Sequence, residues 1–398
     1  MDIIQIQISK VSKIMLERIY SFFNSMAWSQ LEVGHIAMIG IAALLLYLAI
    51  AKKFEPLLLV PIAIGCFLVN LPGSGLLTIN MINDVFPSVN ETAAGLFDYI
   101  SLGLHLELFP PLIFLGIGAM TDFGPLLARP STFLIGAGAQ LGIFVAFFLA
   151  YFIGFSLPES AAIGIIGSSD GPTTIFLANK LAPHLLGPVA VAAYSYMALI
   201  PLIQPWLMKL CTTHKEKTTI MEAPKPVAKW IKIVFPLIIT FFTVMIVPPV
   251  APLIAMLMGG NLLRESGVVD RLSKMVQNEL VNIVTLFLGI SVGMQMSAGN
   301  FLTAETIKIV VLGVIAFEFA TFGGLMFAKL LYVITKGKIN PLIGSAGVSA
   351  MPMAARISHD IGLKYHPNNY LLMHAMGPNV ASVIGSAVVA GIFIEFLM

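Results

Sequence analysis

Apolar segments of helical length fill most of the chain and are separated by short polar stretches. They lie at 34–51, 56–71, 97–121, 131–155, 159–180, 185–208, 233–248, 250–263, 279–296, 304–332, 340–356 and 369–397. A straight membrane-spanning helix needs about 20 apolar residues, and most of these segments reach or approach that length. The shorter segments at 56–71 and 250–263 are expected to pack inside the protein or to meet a locally thinned bilayer. The pattern therefore predicts an all-α polytopic membrane protein, because helices satisfy their own backbone groups in lipid.

Composition leads to the same class of protein. Only 11% of the 398 residues are charged and 58% are hydrophobic, whereas a soluble domain carries about 25% charged residues. The lipid bilayer is therefore the expected surrounding, and a net charge of +2 indicates no nucleic-acid partner. Cys66 and Cys211 lie far apart in apolar segments, which indicates neither a disulfide framework nor a thiolate metal site.

Lysine and arginine residues orient the segments, because they favour the cytoplasmic side of a membrane. Lysines are concentrated in the stretch 209–232, which we therefore interpret as a cytoplasmic linker. The linker separates a first half, residues 34–208, from a second half, residues 233–398. Residues 1–33 mix basic and scattered apolar positions and are expected to form an amphipathic N-terminal segment at the membrane surface.

A polar, glycine-rich phrase occurs once in each half. It spans residues 164–172 in the first half and 344–352 in the second, and its matching glycine, serine and proline positions lie 180 residues apart. Paired interruptions of hydrophobic segments in two related halves are typical of a transporter's ion site near the bilayer midplane. Chance reuse of glycine and leucine is the alternative, but further matches in the same order, such as 114–117 with 287–290, favour a true duplication.

Counting membrane crossings from the cytoplasmic charges gives both halves the same plan. Segment 159–180 must enter and leave on the outer face, and segment 340–356 must do so on the inner face. Each half then contains about five transmembrane helices plus one re-entrant or broken helix. An odd number of crossings turns the second half upside down, so we predict two inverted repeats. Lys180 fits this count less well, because it falls near the outer face.

Asp170 is the strongest single indication of function. A carboxylate in the middle of a bilayer costs at least about 2.5–3.5 kcal/mol on insertion scales, and hydroxyl groups flank this one, among them Ser169. Carboxylate, hydroxyl and unwound backbone oxygens suit a hard cation, and no His or Cys adjoins them in sequence to favour a transition metal. The structural alternative is that Asp170 caps a half-helix that begins at Gly171 and Pro172. The two roles are compatible.

The second half offers neutral oxygens to the same cation. Asn340, Ser345 and Ser349 lie on the second interrupted segment, and Asn379 follows a Gly-Pro pair at another expected helix break. One carboxylate with amide and hydroxyl oxygens suits a monovalent cation better than Ca2+ or Mg2+, which favour more negative charge. For Asn379, hydrogen bonding between helices is an equally good explanation.

Three further side chains are candidates for chemistry near these breaks. Arg356 ends the inner interrupted segment on the cytoplasmic side and could bind a carboxylate. The alternative is that it only anchors the cytoplasmic end of the segment, which is the preferred explanation for an isolated arginine. Tyr194 and Tyr196 lie in the segment opposite Asp170, where a phenol could transfer a proton or bind a cation. Helix packing is the commoner role of such a tyrosine. The sequence has no Walker phosphate-binding loop, so ATP-driven pumping by this chain is not expected.

Three stretches together resemble one protein family. They are 167–173, 340–356 and 374–380. They are similar to the beta subunits of the sodium-pumping, biotin-dependent decarboxylases, which act on oxaloacetate, methylmalonyl-CoA or glutaconyl-CoA. The resemblance covers about residues 34–398. The sequence departs from the family at Ser168 and Ser169, where Gly-Ala often precedes the aspartate, and the added hydroxyl could alter ion affinity or selectivity.

The resemblance implies a division of labour between subunits. A partner carboxyltransferase alpha subunit would move a carboxyl group from the substrate to biotin on a biotin carrier protein. This chain would then release CO2 from carboxybiotin, consume a proton and drive Na+ outward across the cytoplasmic (inner) membrane of a prokaryotic cell. A small single-span gamma or delta subunit and a homo-oligomeric assembly are implied as well.

The resemblance also implies roles for individual residues. Those implied for Na+ binding are Asp170, Ser169, Asn340, Ser349 and Asn379, with Gly344 giving close backbone approach. Those implied for catalysis are Asp170, Tyr196 and Arg356, of which Arg356 would also handle carboxybiotin.

Two other classes of function remain open at the level of sequence. A secondary transporter, either a sodium/carboxylate symporter or a cation/proton antiporter, would use Arg356 to bind a transported carboxylate. A purely structural membrane anchor for a soluble enzyme would leave Asp170 without a role. A symporter works alone in liposomes, whereas a decarboxylase subunit needs carboxybiotin.

Overall fold

The computed structural model describes residues 15–18, 20–21, 30–53, 55–72, 76 and 96–398, without the side chains of residues 196–198. Within these ranges every regular element is a helix, so the prediction of an all-α protein is confirmed. Most of the predicted amphipathic segment 1–33 lies outside the described residues. Most of the polar loop near 72–95 lies outside them too.

The helices follow the apolar segments closely. Those of the first half are α1 (Val33–Ala51), α2 (Pro56–Val69), α3 (Leu96–His105), α4 (Phe109–Met120), α5 (Gly124–Ala128), α6 (Phe133–Ala139), α7 (Leu141–Ile153), α8 (Leu157–Gly164), α9 (Gly171–Leu181) and α10 (Leu186–Cys211). Those that follow are α11 (His214–Lys217), α12 (Lys229–Ile246), α13 (Ala251–Ser266), α14 (Asp270–Met275), α15 (Val281–Met294), α16 (Ala298–Phe301), α17 (Ala304–Ile334), α18 (Met353–Tyr365) and α19 (Leu372–Leu397). Two 3-10 segments, Ile165–Ser168 and Pro341–Gly347, interrupt the chain where the polar phrases occur.

The number of long apolar helices fits a multi-pass membrane protein. Among the described residues, six helical stretches are long and apolar enough to cross a membrane, and the number rises to eight if each of two bent pairs counts as one span. One of these pairs is α3 and α4, whose axes differ by 69°. The chain is therefore a polytopic membrane protein, as its hydrophobic pattern predicts.

Glycines allow two helix pairs to cross at backbone contact. Gly65 of α2 packs against the carbonyl of Ile290 in α15, and Gly293 of α15 packs against α2 in return. Gly118 of α4 packs against α13, and Gly260 of α13 packs against α4. A Cβ at any of these four positions would overlap a backbone carbonyl of the partner helix. Each crossing therefore joins a helix of the first half to a helix of the second.

The two 3-10 segments lie between the remaining long helices. The α6–α7 helix, which breaks at Gln140, and the long helix α17 both pack against these segments. Helix α19 also contacts both of them. The polar interruptions are therefore enclosed by apolar helices, which removes them from bulk solvent and from lipid.

Candidate functional site

The first interruption turns sharply around Asp170. The 3-10 segment Ile165–Ser168 ends at Ser169, whose φ of +57° lies in the left-handed region. A non-glycine residue in that region costs about 1–2 kcal/mol, and such strain is found at functional sites more often than elsewhere. The turn places Asp170 at the N-cap of α9, with Pro172 in the first turn of that helix.

Asp170 is buried and hydrogen-bonded from both halves of the chain. Its side chain is 5% exposed. Within the first half, the Thr173 hydroxyl donates to Oδ2 at 2.7 Å, and the Thr173 N–H donates weakly to Oδ1 at 3.4 Å. From the second half, the Ser386 hydroxyl of α19 donates to Oδ2 at 2.7 Å. Asp170 therefore has the capping role foreseen as the structural alternative, and Oδ1 keeps acceptor capacity for a ligand.

The second interruption meets the first through its backbone. The Ser349 N–H donates to the Ser168 carbonyl at 2.9 Å, so the two polar phrases are in direct contact. The Ser349 hydroxyl donates to the Ser382 hydroxyl of α19 at 3.0 Å. The Asn379 amide donates to the carbonyls of residues 346 and 348, at 3.2 and 2.7 Å. Asn379 thus holds the second interruption in place while its oxygen stays available.

Two buried side-chain oxygens at the interruptions make no hydrogen bond in the described chain. The Ser169 hydroxyl and the Asn379 carbonyl oxygen both lack a partner among the described residues. Buried polar atoms are nearly always satisfied, so unsatisfied ones indicate an ion or water that belongs at the site. Within the described part of the chain, no group of three or more His, Cys, Asp and Glu side chains could hold a metal ion. One carboxylate with neutral hydroxyl and amide oxygens is a ligand set that suits a small hard monovalent cation.

Asn340 and Gly344 lie at the start of the second interruption and contact the linker and α17 rather than Asp170. The Asn340 amide donates to the Thr219 carbonyl at 2.7 Å and to the Lys217 carbonyl at 3.3 Å, while its oxygen accepts from the Leu342 N–H at 2.9 Å. All the polar atoms of Asn340 are therefore used, and they fasten the linker to the 3-10 segment. Gly344 allows close backbone approach, but the backbone that it contacts is that of Gly324 in α17.

The structure describes less of the surroundings of Arg356 and Tyr196, the two residues implied for carboxybiotin chemistry. Arg356 is exposed on α18 and makes no ion pair within the described part of the chain. The side chain of Tyr196 lies outside the described residues. Its neighbour Tyr194 is fully buried, packs its ring against Gly171, and has a hydroxyl without a hydrogen-bond partner in the described chain. Tyr194 therefore adjoins the Asp170 turn directly.

Two charged residues next to the apolar helices, Lys180 and Asp122, are paired. Lys180, which fits the count of crossings poorly, forms an ion pair with Glu107 at 2.9 Å. Asp122 accepts from the Gly124 N–H at 2.8 Å and from Lys232 at 3.0 Å. Burial alone would raise the pKa of Asp122, but these two donors hold it below its ordinary value.

Sequence reasoning missed two residues of this site on α19 and one on the α6–α7 helix. Ser382 and Ser386 follow Asn379 at intervals of three and four, which puts all three on one face of a helix. That periodic polar stripe in an apolar segment is a signal that could have found them. The third is Gln140, the residue at which α6 and α7 separate. It donates to the Ser382 hydroxyl at 3.0 Å.

The fold and the site together define a multi-pass α-helical membrane protein with a buried, oxygen-lined polar centre. The family model of the Na+-transporting oxaloacetate decarboxylase beta subunit matches residues 34–397. The chain belongs to this family of sodium-transporting decarboxylase subunits, as its motifs indicate.

Relatives from three kinds of decarboxylase are similar over nearly the whole chain. The methylmalonyl-CoA decarboxylase subunit beta of Veillonella parvula is 54% identical over 379 residues, which cover 95% of this chain and 97% of the relative. The glutaconyl-CoA decarboxylase subunit beta of Acidaminococcus fermentans is 54% identical over 358 residues, covering 90% and 92%. The oxaloacetate decarboxylase beta chain of Klebsiella pneumoniae is 48% identical over an alignment of 431 residues, covering 96% and 100%.

Proposed function

We propose that this chain is the membrane subunit that decarboxylates carboxybiotin and couples this reaction to outward Na+ transport. The observation that carries the proposal is that the two interruptions meet beside Asp170, through the Ser349 N–H and the Ser168 carbonyl, while Asp170 also receives a hydrogen bond from Ser386 of the other half. Family membership supports the sodium and decarboxylase components. The proposed sequence of events is carboxybiotin binding from the cytoplasm, CO2 release, proton uptake and Na+ release to the outside.

The Na+ site in this proposal is built around the Asp170 carboxylate. Ser169 and Asn379 supply oxygens that otherwise lack hydrogen-bond partners, and Ser349 supplies a hydroxyl whose proton is directed to Ser382. Asn340 and Gly344 act on the same site indirectly, because they fix the start of the second interruption against the linker and α17. The site is buried, so a bound ion must shed its water, which these oxygens replace.

The proposed chemistry takes place on the cytoplasmic side. Arg356 is exposed there and can pair with the carboxylate of carboxybiotin. Breaking the bond between nitrogen and the carboxyl carbon releases CO2 and leaves a biotin anion, which takes up one proton to become neutral biotin. We assign delivery of that proton to Tyr196. Coupling follows if a proton and Na+ compete at Asp170, because protonation removes the charge that binds the cation.

Inverted repeats in the two halves would explain why the interruptions meet. The α2–α15 and α4–α13 crossings are reciprocal, since each joins one helix of the first half to one of the second through facing glycines. A twofold axis in the membrane plane would exchange these two crossings. The same axis would exchange the first interruption with the second, and α10 with α19. About five spans plus one broken helix per half remains the expected count.

We further propose the setting that the family implies. The partners are a carboxyltransferase alpha subunit, a biotin carrier protein and a small single-span gamma or delta subunit, in a homo-oligomeric complex in a prokaryotic cytoplasmic membrane. The relatives are named as beta subunits of decarboxylases, which supports a multi-subunit assembly.

Asp170→Asn tests the proposal directly. The variant keeps the side-chain volume and removes the charge, so Na+-dependent CO2 release from added carboxybiotin should fall by about 100-fold or more, as expected when a charge-assisted interaction is lost in a buried site. The measurement is CO2 release by the purified chain with NaCl or with KCl at equal ionic strength. Full Na+-dependent activity of Asp170→Asn would remove this carboxylate from the mechanism.

The same preparation separates the pump from a secondary transporter. In liposomes without carboxybiotin, the proposed subunit moves no net Na+. Uptake of a carboxylate or of Na+ by the chain alone would favour a sodium/carboxylate symporter or a cation/proton antiporter instead.

A further inference from the structure

Gln140 occupies a break in a helix beside the second interruption. It separates α6 from α7 and is 6% exposed. Its amide donates to the Gly136 carbonyl at 3.0 Å and to the Ser382 hydroxyl at 3.0 Å, with a longer contact of 3.4 Å to the Ser382 carbonyl. Its own oxygen, Oε1, is buried without a hydrogen-bond partner in the described chain. The Gln140 amide thus links the first half to α19, in addition to the bond between Asp170 and Ser386.

The direction of these hydrogen bonds determines which oxygens face an ion. An amide N–H can only donate, so Gln140 fixes one lone pair of the Ser382 hydroxyl as an acceptor. The Ser349 hydroxyl donates to the same oxygen at 3.0 Å. Its proton is then turned toward Ser382, and its own lone pairs are free. A cation needs hydroxyl oxygens in that state, since a proton that points at the ion repels it.

Ser382 lies one turn of α19 from Ser386, the residue that donates to Asp170. Ser386, which holds the carboxylate, follows Ser382 by four residues on α19, a rise of about 6 Å along a helix. The Ser382 hydroxyl that Gln140 contacts is therefore one helical turn from the serine that binds the charge. A neutral amide oxygen without a donor, buried beside them, is the kind of atom that an ion satisfies.

We propose that Gln140 is a positioning residue of the Na+ site, orienting the Ser382 and Ser349 hydroxyls and leaving Oε1 as a neutral oxygen for the ion. This inference rests on the proposed function, because it assumes that Na+ binds at Asp170. A merely structural glutamine would cap the end of α6 through the Gly136 carbonyl. Its loss would lower the stability of the protein and leave its response to Na+ unchanged.

Gln140→Met separates these two roles. Methionine keeps the unbranched length of the side chain and removes both polar atoms. The full chain is purified in detergent, and its thermal unfolding is followed as NaCl replaces KCl at constant ionic strength. The Na+ concentration that gives half of the stabilisation should rise by about 10-fold or more in Gln140→Met, the usual effect of losing a residue that orients a metal ligand. The maximal rate of carboxybiotin decarboxylation at saturating Na+ should change much less.

Gln204 provides a matched control. It is also a buried glutamine, and its amide donates to the Ser345 carbonyl at 2.5 Å rather than to the Ser382 hydroxyl. Gln204→Met should lower thermal stability without changing the Na+ concentration required. A normal Na+ response in Gln140→Met, or an equal shift in both variants, would overturn the proposal.

Ser382→Ala provides a second route if Gln140→Met does not fold. It removes the hydroxyl that Gln140 holds and should weaken the Na+ response in the same direction, whereas an unchanged response would overturn the proposal. If the wild-type chain itself does not distinguish NaCl from KCl, the cation site at Asp170 fails, and the role of Gln140 fails with it. A wild-type response to Na+ that Gln140→Met leaves intact would remove Gln140 alone.

Discussion

The two interrupted segments share a sequence phrase but differ in charge and shape. The separation of 180 residues pairs Ser169 with Ser349 and Pro172 with Pro352, whereas it pairs Asp170 with Ala350. The first interruption has a 3-10 segment of four residues and then a left-handed turn at Ser169. In the second, the 3-10 segment has seven residues, and it is followed by extended backbone at residue 348.

This difference shows which features of a repeated segment are general and which are specific. Both segments interrupt a helix, so both expose backbone and hydroxyl oxygens inside the protein. Only the first supplies a carboxylate, and the second supplies neutral oxygens and packs beside it. One buried charge matches one monovalent cation, because a second uncompensated carboxylate in the same enclosed space would raise the electrostatic cost steeply.

Placing a carboxylate in the second interruption gives the largest expected effect. Ala350 is 6% exposed, and Ala350→Asp would bury a second negative charge near Asp170. The free energy of unfolding should fall by about 3–5 kcal/mol, the usual cost of an uncompensated buried charge. Thermal unfolding of the purified chain measures this loss. Addition of NaCl should restore only part of it.

Ala350→Ser is the control, because it adds a polar hydroxyl group at the same position without adding a charge. It should retain most of the stability of the wild-type chain. If Ala350→Asp were as stable as Ala350→Ser in KCl, the second interruption would tolerate charge by itself. The proposed contrast between a charged first interruption and a neutral second interruption would then be wrong.

Much of the fold was predictable because the bilayer imposes strong constraints on sequence. Runs of apolar residues mark the helices to within a few positions, as at 304–332, which the structure gives as Ala304–Ile334. Asp170 was predictable for the same reason, since a carboxylate in an apolar segment is costly unless it has a function. The serine stripe of α19 was also within reach, because its helical spacing is visible in sequence.

Other contacts depend on tertiary packing that no local pattern reveals. Asn340 resembles an ion ligand in sequence, yet its amide binds the carbonyls of Lys217 and Thr219, more than 100 positions away. Gln140 lies in an apolar segment where one amide gives no signal of its partner. Its significance appears only when α19 is placed beside it. Long-range hydrogen bonds of this kind follow from the fold and cannot be deduced from spacing.

The reciprocal glycine crossings test whether the two halves are equivalent. Gly65→Ala in α2 would place a Cβ on the Ile290 carbonyl, and Gly260→Ala in α13 would place one on the Leu115 carbonyl. Each should lower the free energy of unfolding by about 1–3 kcal/mol through overpacking, and by similar amounts if the crossings are related by symmetry. Gly40→Ala is the control, since nothing lies within 4 Å of its added Cβ. Thermal unfolding in detergent would reveal strongly unequal losses, which would argue against symmetric halves.

The smallest effect is expected at the half-exposed carboxylate of Asp122, in contrast to the enclosed one of Asp170. The Gly124 N–H and Lys232 lower the pKa of Asp122 against the opposing effect of burial. A lowered folded-state pKa stabilises the protein above the ordinary carboxyl pKa of about 3.9, and this contribution disappears as the pH falls through the folded value. Because the ion pair is partly exposed, its contribution should be below about 1 kcal/mol. Asp122→Asn should therefore lose a little stability at pH 7, and this loss should shrink as the pH falls below the ordinary carboxyl pKa, measured as the difference in unfolding temperature from wild type. An effect of Asp122→Asn that persisted undiminished at low pH would contradict the ion-pair explanation.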